Sequence, residues 1–211
     1  MEIYRLVFSP IEVNTYIFAD DSGDCAVIDC GCYNEKEFDR LTRFIELKNY
    51  RPILLLNTHC HLDHVFGNRF MLEKYNLRTL CSEEEMVNLK NSPAHAEFFG
   101  LAMDEPPEPA GYLKDGDTVQ MGSVILKAIH VPGHTAGSLA YYCEQESCIF
   151  TGDVIFSGGI GRTDLPGGNH QKLLKSIREK ILVLPPSTVI YSGHGPATTV
   201  GNELKRNPFL T

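Results

Sequence analysis

The sequence has no excess of basic residues, no long apolar run and no Cys-x-x-Cys pair of the kind that binds structural zinc. Each absence argues against a class of function. Its 211 residues include 19 Lys and Arg against 27 Asp and Glu, a formal net charge of −8. This charge argues against nucleic acid or an anionic membrane as a partner. No apolar stretch is long enough to span a bilayer, and the amino terminus does not have the pattern of a signal peptide. We therefore expect a cytoplasmic protein without membrane or nucleic-acid partners.

Seven cysteines are present, at positions 25, 30, 32, 60, 81, 143 and 148. Their number is odd, and Cys30 and Cys32 are too close in sequence for a relaxed disulfide in most backbones. We predict free thiols in a reducing compartment.

The composition, with 43% hydrophobic and 22% charged residues, is that of a globular chain. The length suffices for a sizeable core, and no linker is evident, so we predict one domain over residues 1–211. Strands are predicted near residues 3–8, 15–19, 25–29, 118–121, 124–130, 139–143, 148–151 and 188–191. Helices are predicted over residues 35–47, 65–75 and 171–181, and a loop over residues 93–111, which contain four prolines. This order favours two sheets with helices outside.

The densest cluster of histidine and carboxylate side chains follows a short apolar run over residues 52–57. The first motif, residues 58–64, reads Thr-His-Cys-His-Leu-Asp-His and contains four metal-ligating side chains: His59, His61, Asp63 and His64. Imidazole and carboxylate are the ligands that borderline divalent metals prefer. Side chains repeat every two residues in an extended chain, so His59 and His61 are expected to point the same way. The pattern predicts a buried strand that delivers a metal-binding loop from its carboxyl end.

Three further candidates lie later in the chain, each beside an apolar β-type run and each among glycines. They are His134 in Pro-Gly-His-Thr, Asp153 in Thr-Gly-Asp and His194 in Ser-Gly-His-Gly. Glycine permits the sharp turns that bring several loops to one point. Taken alone, each residue is typical of a cap or turn. Their occurrence in this order behind the first motif indicates one shared metal site.

In this order the motifs resemble those of the metallo-β-lactamase superfamily, and more closely those of glyoxalase II-type thioester hydrolases (hydroxyacylglutathione hydrolases). The resemblance covers nearly the whole chain and includes residues 14–16, 27–31 and 161–168, the last typical of short, single-domain glyoxalase II-like proteins. It implies an α+β fold, a four-layer αββα sandwich of two mixed sheets with helices on the outside. It also implies a binuclear metal site at one edge, without a separate C-terminal helical substrate domain.

The same resemblance implies a division of the ligands: His59, His61 and His134 for one metal, Asp63, His64 and His194 for the second, and Asp153 as the bridge. Two neighbouring metals need a carboxylate between them to offset their repulsion, and together they lower the pKa of a bridging water towards ~7. Asp63 and Asp153 are the expected catalytic carboxylates. We expect two Zn²⁺ ions, with Fe²⁺ or Mn²⁺ as alternatives, since such sites accept all three metals.

The expected reaction is hydrolysis of a thioester of the S-lactoylglutathione type by a metal-bridging hydroxide. A classical zinc β-lactamase matches less well, because it has Cys or Ser where Asp153 stands. RNA-processing members carry a large inserted domain, for which 211 residues leave no room. Two alternatives stay open. One is hydrolysis of another small thioester or ester, and the other is a persulfide dioxygenase-like oxidoreductase with one iron at the positions of His59, His134 and Asp153.

Departures from classical glyoxalase II limit the substrate interpretation. Only 17 residues follow His194, and the classical Gly-His-Glu-Tyr is Gly-His-Gly-Pro here, so a substrate-contacting tyrosine is missing. Arg162 stands where the classical enzymes have a lysine that binds a glutathione carboxylate, and a guanidinium group suits that contact. The other interpretation of Arg162 is a salt bridge to Asp164 that shapes the loop.

Three residues near the ligands have other expected roles. Asp29 follows an apolar strand and is either the partner of a ligand histidine or a turn residue at the strand end. Cys60 lies between two ligands, so its side chain should point away from the metals and fill a small buried space. His130 is expected to make a structural hydrogen bond.

Overall fold

The computed structural model of the chain describes residues 1–210 and comprises two compact units. The N-terminal unit contains Met1–Tyr112 and Met121–Ser123, and the C-terminal unit contains Leu113–Gln120 and the chain from Val124 onward. Each unit is built on a six-stranded sheet with helices packed against it. No helix within residues 1–210 is long and apolar enough to cross a membrane.

The sheet of the N-terminal unit follows the order of the sequence: β1 (Glu2–Phe8), β2 (Val13–Ala19), β3 (Asp24–Ile28), β4 (Arg51–Leu56), β5 (Thr79–Cys81) and β6 (Gly111–Tyr112). The first three strands are antiparallel and the later pairs are parallel, so the sheet is mixed. All seven residues of β2 are buried, which places this strand in the core. Strand β4 ends at Leu56, two residues before the first motif begins at Thr58.

Four helices complete the N-terminal unit: α1 (Glu35–Leu47), α2 (Leu62–Val65), α3 (Asn68–Tyr75) and α4 (Met86–Phe98). The Asn34 side chain starts α1 by accepting hydrogen bonds from two N–H groups of its first turn. Leu41 and Ile45, on the buried face of α1, pack in one cluster with Val27 and Leu55 of the sheet. Burial of this apolar stripe holds α1 on the sheet.

The predicted continuous helix over residues 65–75 is wrong, because the chain breaks between α2 and α3 at Gly67. The N–H of Gly67 donates to the Cys30 carbonyl at 2.8 Å. A Cβ atom at position 67 would lie 2.4 Å from Cys30 Sγ and 2.9 Å from its carbonyl oxygen. Only glycine permits this close approach, and the break separates the helix of Asp63 and His64 from the helix behind it.

The predicted loop over residues 93–111 is wrong in its first part, because α4 continues through Pro93 to Phe98. Proline lacks the N–H that would bond to the Leu89 carbonyl four residues earlier. The hydroxyl of Ser92 donates to that carbonyl instead, at 2.8 Å. Residues 100–110 have no helix or strand, as expected.

The strands from Thr118 onward are β7 (Thr118–Met121), β8 (Val124–His130), β9 (Leu139–Cys143), β10 (Cys148–Gly152), β11 (Ile155–Phe156), β12 (Gly159–Ile160), β13 (Val189–Ser192) and β14 (Thr198–Thr199). Six of them form a sheet in the order β14-β13-β10-β9-β8-β7, and β11 pairs with β12 in a small hairpin. Strand β10 is parallel to β13 and antiparallel to β9, so this sheet is also mixed. Strands β9 and β10, both predicted from the sequence, form an antiparallel hairpin.

The helices of the C-terminal unit are α5 (His170–Ser176), which continues into a π-helical turn (Ile177–Ile181), and α6 (Val200–Arg206). Leu173, Ile177 and Ile181 are buried in one cluster with apolar residues of the sheet. These residues carry the spacing that predicts a helix over residues 171–181, and only the wider last turn differs. Two mixed sheets with helices confirm the predicted fold class.

Candidate metal centre

In the N-terminal unit, the four candidate ligands of the first motif lie after β4 and in α2. His59 and His61 are in the ligand loop, residues 57–61, and Asp63 and His64 are in the first turn of α2. All four side chains are buried, His64 completely. Burying so many polar groups is costly unless they meet hydrogen-bonding partners or a metal.

These four side chains converge. The ring centroid of His59 lies 4.7 Å from that of His61 and 4.0 Å from that of His64. Nε2 of His64 lies 3.6 Å from Oδ2 of Asp63, and the ligand atoms of His59 and His61 lie within 4.8 Å of each other. Three imidazoles and a carboxylate at these separations form a donor set suited to Zn²⁺, Fe²⁺ or Mn²⁺.

A buried carboxylate, Asp29, orients this donor set. Its backbone is in the left-handed region (φ 53°), and its Oδ2 atom lies 3.0 Å from Nδ1 of His64. Asp29 also accepts hydrogen bonds from the N–H of Thr58 at 2.8 Å and from its hydroxyl at 2.7 Å. With Nδ1 of His64 facing a carboxylate, Nε2 is left for a metal. Of the two interpretations of Asp29, the contact with His64 favours the partner of a candidate ligand histidine.

Asn57 ties the end of the motif back to its start, and Asn68 holds the Asn57 side chain in place. Nδ2 of Asn57 donates to the His64 carbonyl at 2.7 Å, and Nδ2 of Asn68 donates to Oδ1 of Asn57 at 2.8 Å. Sequence reasoning does not identify either role. The position of Asn57 at the end of an apolar run is a usable signal, whereas Asn68, at the start of α3, has none.

In the C-terminal unit, Asp153 lies between the two remaining candidate histidines. Its Oδ2 atom lies 3.8 Å from Nε2 of His134 and 3.5 Å from Nε2 of His194. Nδ1 of His134 lies 2.8 Å from the Arg162 carbonyl. A carbonyl only accepts, so Nδ1 is the donor and Nε2 carries the lone pair that a metal requires.

Close packing beside these ligands requires glycine at position 161. A Cβ atom there would lie 1.9 Å from the Asp153 carbonyl oxygen and 3.3 Å from Cβ of His134. Any side chain would therefore displace the strand end that carries Asp153. The glycine brings the segment that holds the Arg162 carbonyl up to His134.

The side chain of Arg162 makes the salt bridge to Asp164 that one of its two interpretations expects. Its Nε and one terminal nitrogen donate to the two carboxylate oxygens, both at 2.8 Å. Both side chains are more than half exposed, at 56% and 68%. The hydrogen bond from Arg162 lowers the pKa of the Asp164 carboxyl to about 2, so the ion pair persists well into the acid range. This pair holds the guanidinium at the surface of the loop that contacts His134.

His130 and Cys60 both have the structural environments expected of them. Nε2 of His130 lies 2.8 Å from the Ala136 carbonyl, and the backbone N–H of His130 donates to Asp115. The side chain of Cys60 is fully buried in a small apolar cluster that includes Leu89. The predictions of a structural histidine and a buried filler are confirmed.

Comparison with known proteins agrees with these features. The metallo-beta-lactamase superfamily model matches residues 9–194. The whole chain is 37% identical to the probable metallo-hydrolase YqgX of Bacillus subtilis, covering 98% of it. It is 35% identical to the hydroxyacylglutathione hydrolase GloC of Haemophilus influenzae, with 100% of this chain and 98% of GloC covered. The crystal structure of the BLEG-1 B3 metallo-beta-lactamase is 32% identical, with a TM-score of 0.92 over 100% of both chains. The chain therefore belongs to the metallo-β-lactamase superfamily of metallo-hydrolases.

Proposed function

We propose that the chain is a binuclear metal-dependent hydrolase of small thioesters, with S-lactoylglutathione as the substrate type. The observation that carries this proposal is the position of Asp153, whose Oδ2 atom lies 3.8 Å from Nε2 of His134 and 3.5 Å from Nε2 of His194. One carboxylate that faces a ring nitrogen on each side suits a ligand shared by two metals.

The family resemblance divides the seven candidate ligands between two divalent metals. One metal would be held by His59, His61 and His134, the other by Asp63, His64 and His194, and both by Asp153. Water or substrate would complete the coordination of each metal, as in catalytic sites. Zn²⁺ is the expected ion, and Fe²⁺ and Mn²⁺ suit the same ligands. Bound there, the metals would supply a water of lowered pKa and polarise the substrate carbonyl.

Asp63 and Asp153 are the proposed catalytic carboxylates. Asp63 orients the attacking water by accepting a hydrogen bond from it. Asp153 fixes the positions of His134 and His194, which lie on either side of it. Hydrolysis adds the water oxygen to the acyl carbon, breaks the carbon–sulfur bond and leaves a carboxylic acid and a thiol. A thiol has a pKa of about 8.5, so it leaves with little help from a general acid.

The substrate class is supported by a relative and by one side chain. GloC, named a hydroxyacylglutathione hydrolase, is 35% identical over the full chain. Arg162 is the proposed contact for a carboxylate of the glutathione moiety, because guanidinium binds carboxylates through two parallel hydrogen bonds. It makes such a pair of bonds with Asp164, so the substrate would compete with that side chain.

The likeness to BLEG-1, described as a B3 metallo-beta-lactamase, makes β-lactams the alternative substrate class. Asp153 argues against this alternative, because the resemblance to classical zinc β-lactamases fails at this position, where they have Cys or Ser. The two substrate classes therefore belong in one experiment.

The test is hydrolysis of S-lactoylglutathione by the Zn²⁺-loaded protein, with the β-lactam nitrocefin assayed in parallel. We expect thioester turnover that is lost on chelation and restored by added metal, and nitrocefin hydrolysis at background. Thioester hydrolysis at the background rate, in protein that holds both metals, would exclude this substrate. Oxygen consumption with glutathione persulfide would instead establish the oxidoreductase alternative.

We also propose a cytoplasmic location. All seven cysteines are free and buried. Free thiols suit a compartment that keeps cysteine reduced. Fractionation of the source cells, with detection of the chain by antibody, tests the location.

A further inference from the structure

The backbone of the ligand loop is held by a second buried carboxylate, that of Glu85. Its Oε2 atom accepts a hydrogen bond from the N–H of Cys60 at 2.8 Å, and Cys60 lies between His59 and His61. The side chain of Glu85 is 0% exposed. A fully buried carboxylate needs specific partners, and one partner here is the peptide between two candidate ligands.

The location of Glu85 explains how its carboxylate is kept in place. Glu85 ends the 3₁₀ turn Glu83–Glu85 and is the N-cap residue of α4. Negative charge is stabilised at a helix N-terminus. Asn88, in the first turn of α4, donates its side-chain N–H to the same Oε2 atom at 2.9 Å. The carboxylate is therefore fixed by α4 and directed at the ligand loop.

The side chain of Cys60 holds the loop against the same helix. It is fully buried in a cluster that includes Leu89 of α4. Because side chains alternate in an extended chain, holding Cys60 against α4 turns the rings of His59 and His61 to the opposite face. Those two rings lie 4.7 Å apart between centroids.

Along the ligand loop, buried carboxylates accept the backbone hydrogen bonds that carbonyls of a neighbouring strand would accept in a sheet. The N–H of Asn57 donates to a carbonyl of β5 at 3.1 Å, as in a regular sheet. Beyond it, the N–H of Thr58 donates to Asp29 and the N–H of Cys60 donates to Glu85, both at 2.8 Å. Two buried carboxylates therefore set the path of the ligand loop where it leaves the sheet.

We propose that Glu85 is a positioning residue of the metal centre, which acts through the Cys60 peptide to fix the spacing and direction of His59 and His61. The inference rests on the proposed function, since it requires the two histidines to be metal ligands. It deepens that function by giving a role to a residue that binds no metal. Loss of a hydrogen-bonding partner behind a metal ligand typically costs about 10–100-fold in metal affinity.

Three substitutions separate positioning from general stability. Glu85→Leu removes the acceptor, Glu85→Gln keeps a carbonyl oxygen for the Cys60 N–H, and Glu83→Gln changes an exposed neighbour in the same turn. Zn²⁺ affinity is measured by competition with a chromophoric chelator, and ligand geometry by the absorption spectrum of the Co²⁺-loaded protein. Thermal unfolding of the metal-free protein reports on the fold.

We expect Glu85→Leu to lower Zn²⁺ affinity about 10–100-fold and to change the Co²⁺ spectrum, while the other two variants keep wild-type values. Unchanged Zn²⁺ affinity and an unchanged Co²⁺ spectrum in folded Glu85→Leu protein would overturn this inference and leave the proposed function standing. If that variant does not fold, Glu85→Asp, which withdraws the carboxylate by one methylene, decides: weaker affinity supports the inference and wild-type affinity overturns it. A wild-type protein that binds no metal would overturn the proposed function and the inference together.

Discussion

Oδ2 of Asp29 lies 3.0 Å from Nδ1 of His64, and both side chains are almost completely buried. The same carboxylate accepts two hydrogen bonds from Thr58. One side chain therefore fixes both ends of the first motif. This pairing orients the His64 ring and leaves its Nε2 for a metal.

Asp29→Asn should weaken Zn²⁺ binding about 10–100-fold with a small effect on the fold. Asparagine tolerates the left-handed backbone and can still accept from Thr58, but it no longer offers His64 a negative charge. Asp29→Ala should also lower the free energy of unfolding, since each Thr58 donor left buried without an acceptor costs about 1–3 kcal/mol. Calorimetric titration with Zn²⁺ and denaturant unfolding measure the two effects, with exposed Asp39→Asn as the control. Equal Zn²⁺ affinity in wild type and Asp29→Asn would contradict this role.

Asp153→Asn should release most of the bound metal and lower activity by several orders of magnitude, because it removes the charge between His134 and His194. His130→Asn should mainly lower stability, since Nε2 of His130 contacts the Ala136 carbonyl. Metal content and turnover of the two variants are compared directly. If Asp153→Asn retains two metals and full activity, the ligand assignment is wrong.

Arg162→Ala should raise the KM for S-lactoylglutathione more than it lowers kcat, because a contact remote from the reacting carbonyl contributes uniform binding. Asp164→Ala should leave KM unchanged or lower it, since it frees the guanidinium from its two hydrogen bonds. Steady-state kinetics of both variants distinguish the two interpretations of Arg162. Equal rises in KM would assign Arg162 to shaping the loop.

Cys143 and Cys148 face each other across the β9–β10 hairpin. A hydrogen bond from the Cys148 thiol lowers the pKa of Cys143 from its ordinary value of 9.0 to about 7. The resulting stabilisation is full above the pKa of the unfolded thiol and is lost as the pH falls through about 7. Ultraviolet thiolate absorbance should show this titration in the wild type and not in Cys143→Ser, and Cys148→Ala should raise its midpoint. Thiolate that appears only in the ordinary thiol range would contradict the prediction.

Parts of the fold and site could be predicted where the signals are local. Helix α1 has apolar residues at helical spacing, and its bounds, Glu35–Leu47, match the prediction. The apolar run before the first motif is β4, and the alternation of His59 and His61 places their rings near each other. Asp153 and His194 follow β10 and β13, which are parallel neighbours, so their closeness follows from the usual meeting of parallel strand ends at one edge.

The remaining features depend on contacts between residues distant in sequence. Asn68 and Glu85 reach the ligand loop from α3 and from the start of α4, and such polar residues are mostly found at the surface. The break at Gly67 depends on its approach to the chain after β3. The helix through Pro93 depends on Ser92 to occupy a carbonyl that proline leaves without its usual donor. None of these four features has a local pattern that predicts it.

The metal content of the purified chain, measured by elemental analysis against protein concentration, tests the proposed binuclear centre most directly. We predict two divalent metals per chain, with Zn²⁺ foremost, since seven His and carboxylate donors supply ligands for two ions and a shared bridge. A single iron per chain would contradict the binuclear centre and favour the persulfide dioxygenase alternative, and protein that binds no metal would contradict both.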